Sequence, residues 1–134
     1  MPKKNPNAAR FEAILEEAHK AAEAAVAALG PENPRALDCG FAWATIDGRD
    51  HLANYCRKQV KDAKALRERG GCGPGFVNER ERYYGGKAYP TGWQWWKPGN
   101  FPGQAIGHHE AGARAFRDVL AKHGITVNVG SRYD

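Results

Sequence analysis

Between Arg10 and Leu29 the apolar residues Phe11, Ile14, Leu15, Ala18, Ala22, Ala25, Val26 and Leu29 recur at spacings of three and four, which gathers them on one stripe of an α-helix. Gly30 and Pro31 end the pattern, as a left-handed C-cap and a residue that cannot continue a helix should. The stripe is rich in alanine, so whatever packs on it can approach closely. After a connector, Glu32 to Leu37, the run Cys39 to Ile46 is short, aromatic and β-branched and alternates large with small residues, the period of a strand. Asp47 or Asp50 can cap a second helix, with Leu52, Tyr55, Cys56, Gln59, Val60, Ala63 and Leu66 on its inward face and Gly70-Gly71 at its end.

The next stretch changes character. From Arg69 to Gly103 nine glycines and four prolines are interleaved with eight aromatic residues. An unstructured loop of that length is improbable inside a small domain, so the pattern predicts a strand at Gly92 to Lys97, a turn at Pro98-Gly99-Asn100 and a further strand at Gln104 to Gly107. His109 to His123 predicts a third helix, with Ala113, Phe116, Val119 and Leu120 facing in. Ile125 to Val129 alternates as a last strand. Beyond it Ser131, Arg132 and Tyr133 are either ordered against the sheet or a solvated tail.

The predicted order within residues 38–134 is therefore βαββαβ, and right-handed crossovers turn it into a ferredoxin-like α+β fold: an antiparallel sheet of four strands with helices on one face, preceded by the extra amphipathic helix. In this reading residues 1–8 are a flexible N-terminus, 9–30 the helix and 38–134 the α/β domain. A chain of 134 residues is enough for one core and too short for two full-sized domains.

Such a sheet leaves one face open. Ala42, Ala44 and Ile46 suit close packing against helices and put Phe41, Trp43 and Thr45 on the other face, while Trp93 and Trp95 share a side opposite to Gln94 and Trp96. Aromatic residues on an open sheet, beside lysine and arginine, are how several single-strand-binding modules stack bases. Arg80, Arg82, Lys87 and Lys97 sit among Tyr83, Tyr84, Tyr89 and Trp96. The net charge of +5 and a pI near 9.2 permit a polyanionic partner without requiring one. The candidate binding set is Phe41, Trp43, Arg80, Arg82, Tyr84, Lys87, Trp93, Trp95, Lys97 and Arg132. The competing reading makes the aromatics core, covered on their second face by the N-terminal helix.

Other motifs carry less. Gly70 to Gly75 is glycine-rich but matches neither a P-loop nor a dinucleotide fingerprint, and reads as a flexible turn. His108 and His109 are adjacent, so on a helix they diverge by about 100° and do not share one metal ion. Cys39, Cys56 and Cys72 are an odd number without zinc-ribbon or disulfide spacing, which suits free thiols in a reducing cytosol. No sequence around Cys39 matches a nucleophile motif. No apolar run reaches the roughly 20 residues of a membrane span, and nothing at the start reads as a signal peptide. The expectation is a cytoplasmic protein that is not an enzyme and uses no cofactor or metal.

The segments Asp38 to Ile46, Gly92 to Gly99, Glu110 to Leu120 and Ser131 to Asp134 resemble small proteins of tailed bacteriophages. The resemblance covers most of residues 38–134 but not the first helix. It implies a phage or prophage origin and brings no activity, catalytic residue or cofactor. Two functions follow as expectations. One is an accessory protein that binds nucleic acid or a nucleotide through the aromatic and basic surface. The other is a protein-interaction module that engages a host factor, or forms a homodimer through residues 10–29.

Overall fold

The computed structural model describes residues 7–31, 39–70, 79–88, 91–101, 103 and 105–133, with the side chains of 62–70 and 79–81 outside the description. Its elements run α1 (Ala8–Ala28), β1 (Gly40–Ile46), α2 (His51–Gly70), α3 (Glu79–Tyr84), β2 (Gly86–Lys87), β3 (Trp93–Trp96), α4 (Ile106–Lys122) and β4 (Val127–Tyr133). The strands form one antiparallel sheet in the order β2-β3-β1-β4.

Six residues of the predicted stripe of α1, Phe11, Ile14, Leu15, Ala18, Ala22 and Val26, lie inside, while Ala25 is half-buried and Leu29 exposed. Gly30 takes the left-handed conformation, φ +72°, just past the helix end. This face packs chiefly on α4, against the side of the sheet that the helices cover. The small residues make that closeness possible. Gly112 of α4 stands where a Cβ would lie 2.1 Å from the Pro98 carbonyl oxygen, and Gly99 where one would lie 2.8 Å from a Val26 methyl. The turn after β3 is thus wedged into the α1–α4 seam. Most of the apolar stripe is taken up inside the chain, in one core cluster with Trp93 and Trp95.

In β1 burial alternates strictly, with Ala42, Ala44 and Ile46 inside and Phe41, Trp43 and Thr45 half-buried on the other side. Asp50 caps α2, its carboxylate accepting the Leu52 amide at 2.8 Å. Asp47 instead accepts the Arg49 amide at 2.8 Å in the turn ahead of the helix. Of the inward face predicted for α2, Leu52, Tyr55 and Cys56 are buried, Gln59 and Val60 half-buried, and the Ala63 and Leu66 side chains lie outside the described residues. The core is centred on Trp95, Phe116, Ile14, Leu15, Leu52 and Leu120. Burial of each such side chain contributes about 1.5–3 kcal/mol.

Two strands differ from expectation. Ala105 to Gly107, of the strand predicted from Gln104, is not a strand, and Gln104 lies outside the described residues: Ala105 makes only an isolated bridge to Cys39, and its carbonyl accepts the amides of His108 and His109 as α4 begins. The wedged turn at Pro98-Gly99 sends the chain away from the sheet and onto the helices. The hairpin partner of β3, on the side away from β1, is the two-residue β2, which precedes it rather than follows. At the other end β4 runs on past Val129, and Arg132 and Tyr133 pair with Phe41 and Gly40. The C-terminal residues through Tyr133 are sheet, not a solvated tail.

Candidate functional site

Residues opposite each other in an antiparallel pair share a face, and the register decides which tryptophans meet solvent. Trp43 is opposite Trp96 and Thr45 opposite Gln94, whereas Ala44 is opposite Trp95 and Ile46 opposite Trp93. Trp93 and Trp95 therefore lie under the helices, 4% and 1% exposed. They are core, which corrects their assignment to a binding surface. Their indole N–H groups still need acceptors in that dry setting. The Trp95 Nε1 donates to the Tyr83 carbonyl at 3.1 Å and the Trp93 Nε1 to the Tyr84 carbonyl at 2.7 Å, satisfying the C-terminal end of the short α3. His19 Nε2 donates to the same Tyr83 carbonyl at 2.7 Å, its ring stacked on Tyr83. Burial holds the His19 pKa below its ordinary value of 6.5, so the ring stays neutral.

The other face of the sheet carries a different aromatic set. The rings of Trp43 and Trp96 are stacked, centroids 5.3 Å apart and planes 11° from parallel, and Phe41 leans on Trp96 at 5.5 Å. Trp43 lies over β4 at Gly130, where a Cβ would stand 2.5 Å from its Nε1. A flat indole fits there only because the opposite residue has no side chain. Trp96 is 43% exposed, the most open of these three rings. Around it Lys97 Nζ sits 5.7 Å from the Phe41 ring centre, a cation–π distance, and Arg132, opposite Phe41 on β4, is exposed.

The basic and tyrosine residues of the predicted set divide. Arg82, exposed on α3, and Lys97 line two clefts that meet at Trp96, of about 390 and 450 Å³. Arg80 also lies in α3, with its side chain outside the described residues. Lys87 is opposite Trp93 and so belongs to the helix side of the sheet, at its edge, which removes it from the aromatic face. Tyr84 is structural: its hydroxyl and that of Tyr55 donate to the two oxygens of Glu12 at 2.8 and 2.7 Å, clamping α1 to α2 and α3. Burial and the Glu12 carboxylate push the Tyr55 hydroxyl pKa well up. Phe41, Trp43, Lys97 and Arg132 thus lie on one side of the sheet, Arg82 stands beside them, and Trp96, Gln94 and Asn100 lie with them although they are outside the candidate set.

Burial pushes the Cys56 thiol far up, so it is not a thiolate at neutral pH. His108 and His109 donate Nε2–H to separate carbonyls, Gly30 at 2.8 Å and Gly103 at 2.9 Å. No cluster of three metal-ligating side chains occurs among the described residues, and no helix there is long and apolar enough to cross a membrane. The glycine-rich loop after Gly70, with Cys72, and Tyr89 fall outside the described residues.

Comparison with family models, with curated proteins and with solved structures finds no match for this chain. The similarity to phage proteins drawn from its sequence has no counterpart in these comparisons.

Proposed function

We propose that the chain is a non-enzymatic, ferredoxin-like binding module of the cytoplasm whose Trp43–Trp96 sheet face holds single-stranded nucleic acid. The observation that carries this reading is the stacked Trp43–Trp96 pair, on the face opposite the one that buries Trp93 and Trp95, with Phe41, whose ring also meets His109 of α4 at 5.7 Å, and flanked by Lys97 and Arg132. Bases stack on such indoles irrespective of sequence, and the two cations neutralise phosphates. The ferredoxin-like classification is supported by the antiparallel order β4-β1-β3-β2, with helical segments joining β1 to β2 and β3 to β4.

The test is tryptophan fluorescence during titration with short single-stranded DNA and RNA at low and moderate salt. Saturable quenching that weakens as salt rises is expected, because binding releases counterions. Replacing Trp96 by Ala is expected to weaken it about 5- to 100-fold, the equivalent of roughly 1–3 kcal/mol per stacked base. Unchanged affinity in a folded variant lacking both Trp43 and Trp96 would remove the reading and send the search to protein partners.

A further inference from the structure

The two clefts beside Trp96 are not chemically equal. The one toward α1 holds Glu16 and Glu23 along with its basic residues. The other, of about 450 Å³, opens toward the β2–β3 hairpin and is lined by Arg82 and Lys97, by the amides of Gln94 and Asn100 and by the Trp96 indole, with no carboxylate among its described side chains. Its size is within the range of small-ligand sites, about 300–1,000 Å³. Its two cations, which also border the cleft holding Glu16 and Glu23, meet no carboxylate among the described side chains on this side and favour an anion here; two amides read the edge of a flat heterocycle, and an indole stacks on its face.

The backbone at this spot is also unusual. Lys97 and Asn100 both have φ of +50°, a region uncommon for residues with a side chain and costly for lysine. Both ends of that turn line the cleft. The Lys97 amide donates to the Ala42 carbonyl at 3.0 Å and the Asn100 amide to the Lys97 carbonyl at 2.9 Å, so the strained turn is anchored on β1 and closed on itself. Strain held this way presents the lysine and the asparagine beside the indole at fixed positions.

Resting on the proposed nucleic-acid face, we infer that this cleft is a nucleotide subsite: it takes a nucleoside monophosphate unit, base on Trp96 with Gln94 and Asn100 at its edge, and phosphate between Arg82 and Lys97. The unit is either a free nucleotide or the phosphorylated end of a strand whose following bases run onto Trp43 and Phe41.

The experiment titrates the full chain with AMP and UMP, with adenosine and uridine, and with a six-nucleotide strand carrying either a terminal phosphate or hydroxyls at both ends. Nucleotides are expected to bind about ten- to a hundredfold more tightly than their nucleosides, the range of one or two charge-assisted hydrogen bonds. Arg82→Gln and Lys97→Gln should each erase most of that difference, with the circular dichroism spectrum unchanged. A gain from the terminal phosphate on the strand assigns the subsite to strand ends; tight binding of free nucleotide without such a gain assigns it to mononucleotides. Equal affinity for nucleotide and nucleoside, or a preference that survives both substitutions, overturns the inference. The hydroxyl-ended strand separates the two proposals: if it binds in a Trp43-dependent way while nucleotides show no phosphate preference, the face stands and the subsite falls. The reverse result keeps the subsite and removes the face.

Discussion

Trp95 and Trp96 are neighbours in the chain and opposites in the fold. Trp95 is enclosed against Phe116, with its indole N–H on a helix-end carbonyl; Trp96 stacks on Trp43 at the surface beside Lys97 and Arg82. Their composition is the same and their energetic roles are not. One stabilises the core through burial and a hydrogen bond that has no replacement. The other leaves much of its surface in water, which costs some stability and keeps a ring face available.

The sharpest way to break this contrast is to truncate each. Trp95→Ala is expected to cost about 3–5 kcal/mol in urea unfolding, through the cavity it leaves, while the Tyr83 carbonyl keeps its bond from His19. Trp96→Ala should cost less than about 1.5 kcal/mol. Equal losses would mean that both rings are core. Glycines sharpen it next. Gly112→Ala sets a Cβ against backbone in the helix seam and should destabilise by about 1–3 kcal/mol, as overpacking does. Gly130→Ala meets only the Trp43 ring, which can swing outward. Its signature should be a red-shifted Trp43 emission with little change in the unfolding midpoint.

The smallest effect is on pH. Unfolded, His19 protonates near 6.5; folded, burial depresses that value. Between the two the unfolded chain binds more protons, so stability is full above about pH 7 and declines as pH falls below 6.5. His19→Gln should flatten this slope in denaturation at pH 7.5, 6 and 5, and a slope left intact would assign it to another group.

α1, α2 and α4 were legible because period and glycine stops agree for them, although α4 begins at Ile106, ahead of the predicted His109, and the six-residue α3 was too short for its period to be read. The alternation within β1 and β3 was legible too. The side of the sheet to which each parity of β3 belongs was not, because it is set by pairing with β1 across 50 residues of chain, and a shift by one residue exchanges the faces. A signal was present: Trp96 shares its parity with Gln94, and the side carrying a glutamine is the wetter one. β2, at two residues, is too short for any periodicity, so its hairpin role was given to the segment after β3. For Tyr84 and Lys87, composition suggested a surface, but their places depend on a carboxylate 72 residues away and on strand register.

The turn that carries Lys97 and Asn100 to the cleft is the same one whose Pro98 and Gly99 are gripped by Gly112, Ala22 and Val26. Under the proposed function, sequence drift at those three seam positions is therefore visible to selection on ligand recognition as well as on folding. A lineage that altered its recognition could do so by changing small residues in α1 and α4 that no ligand ever meets, and α1, absent from the expected βαββαβ unit, would be inherited with the site rather than exchanged as an appendage.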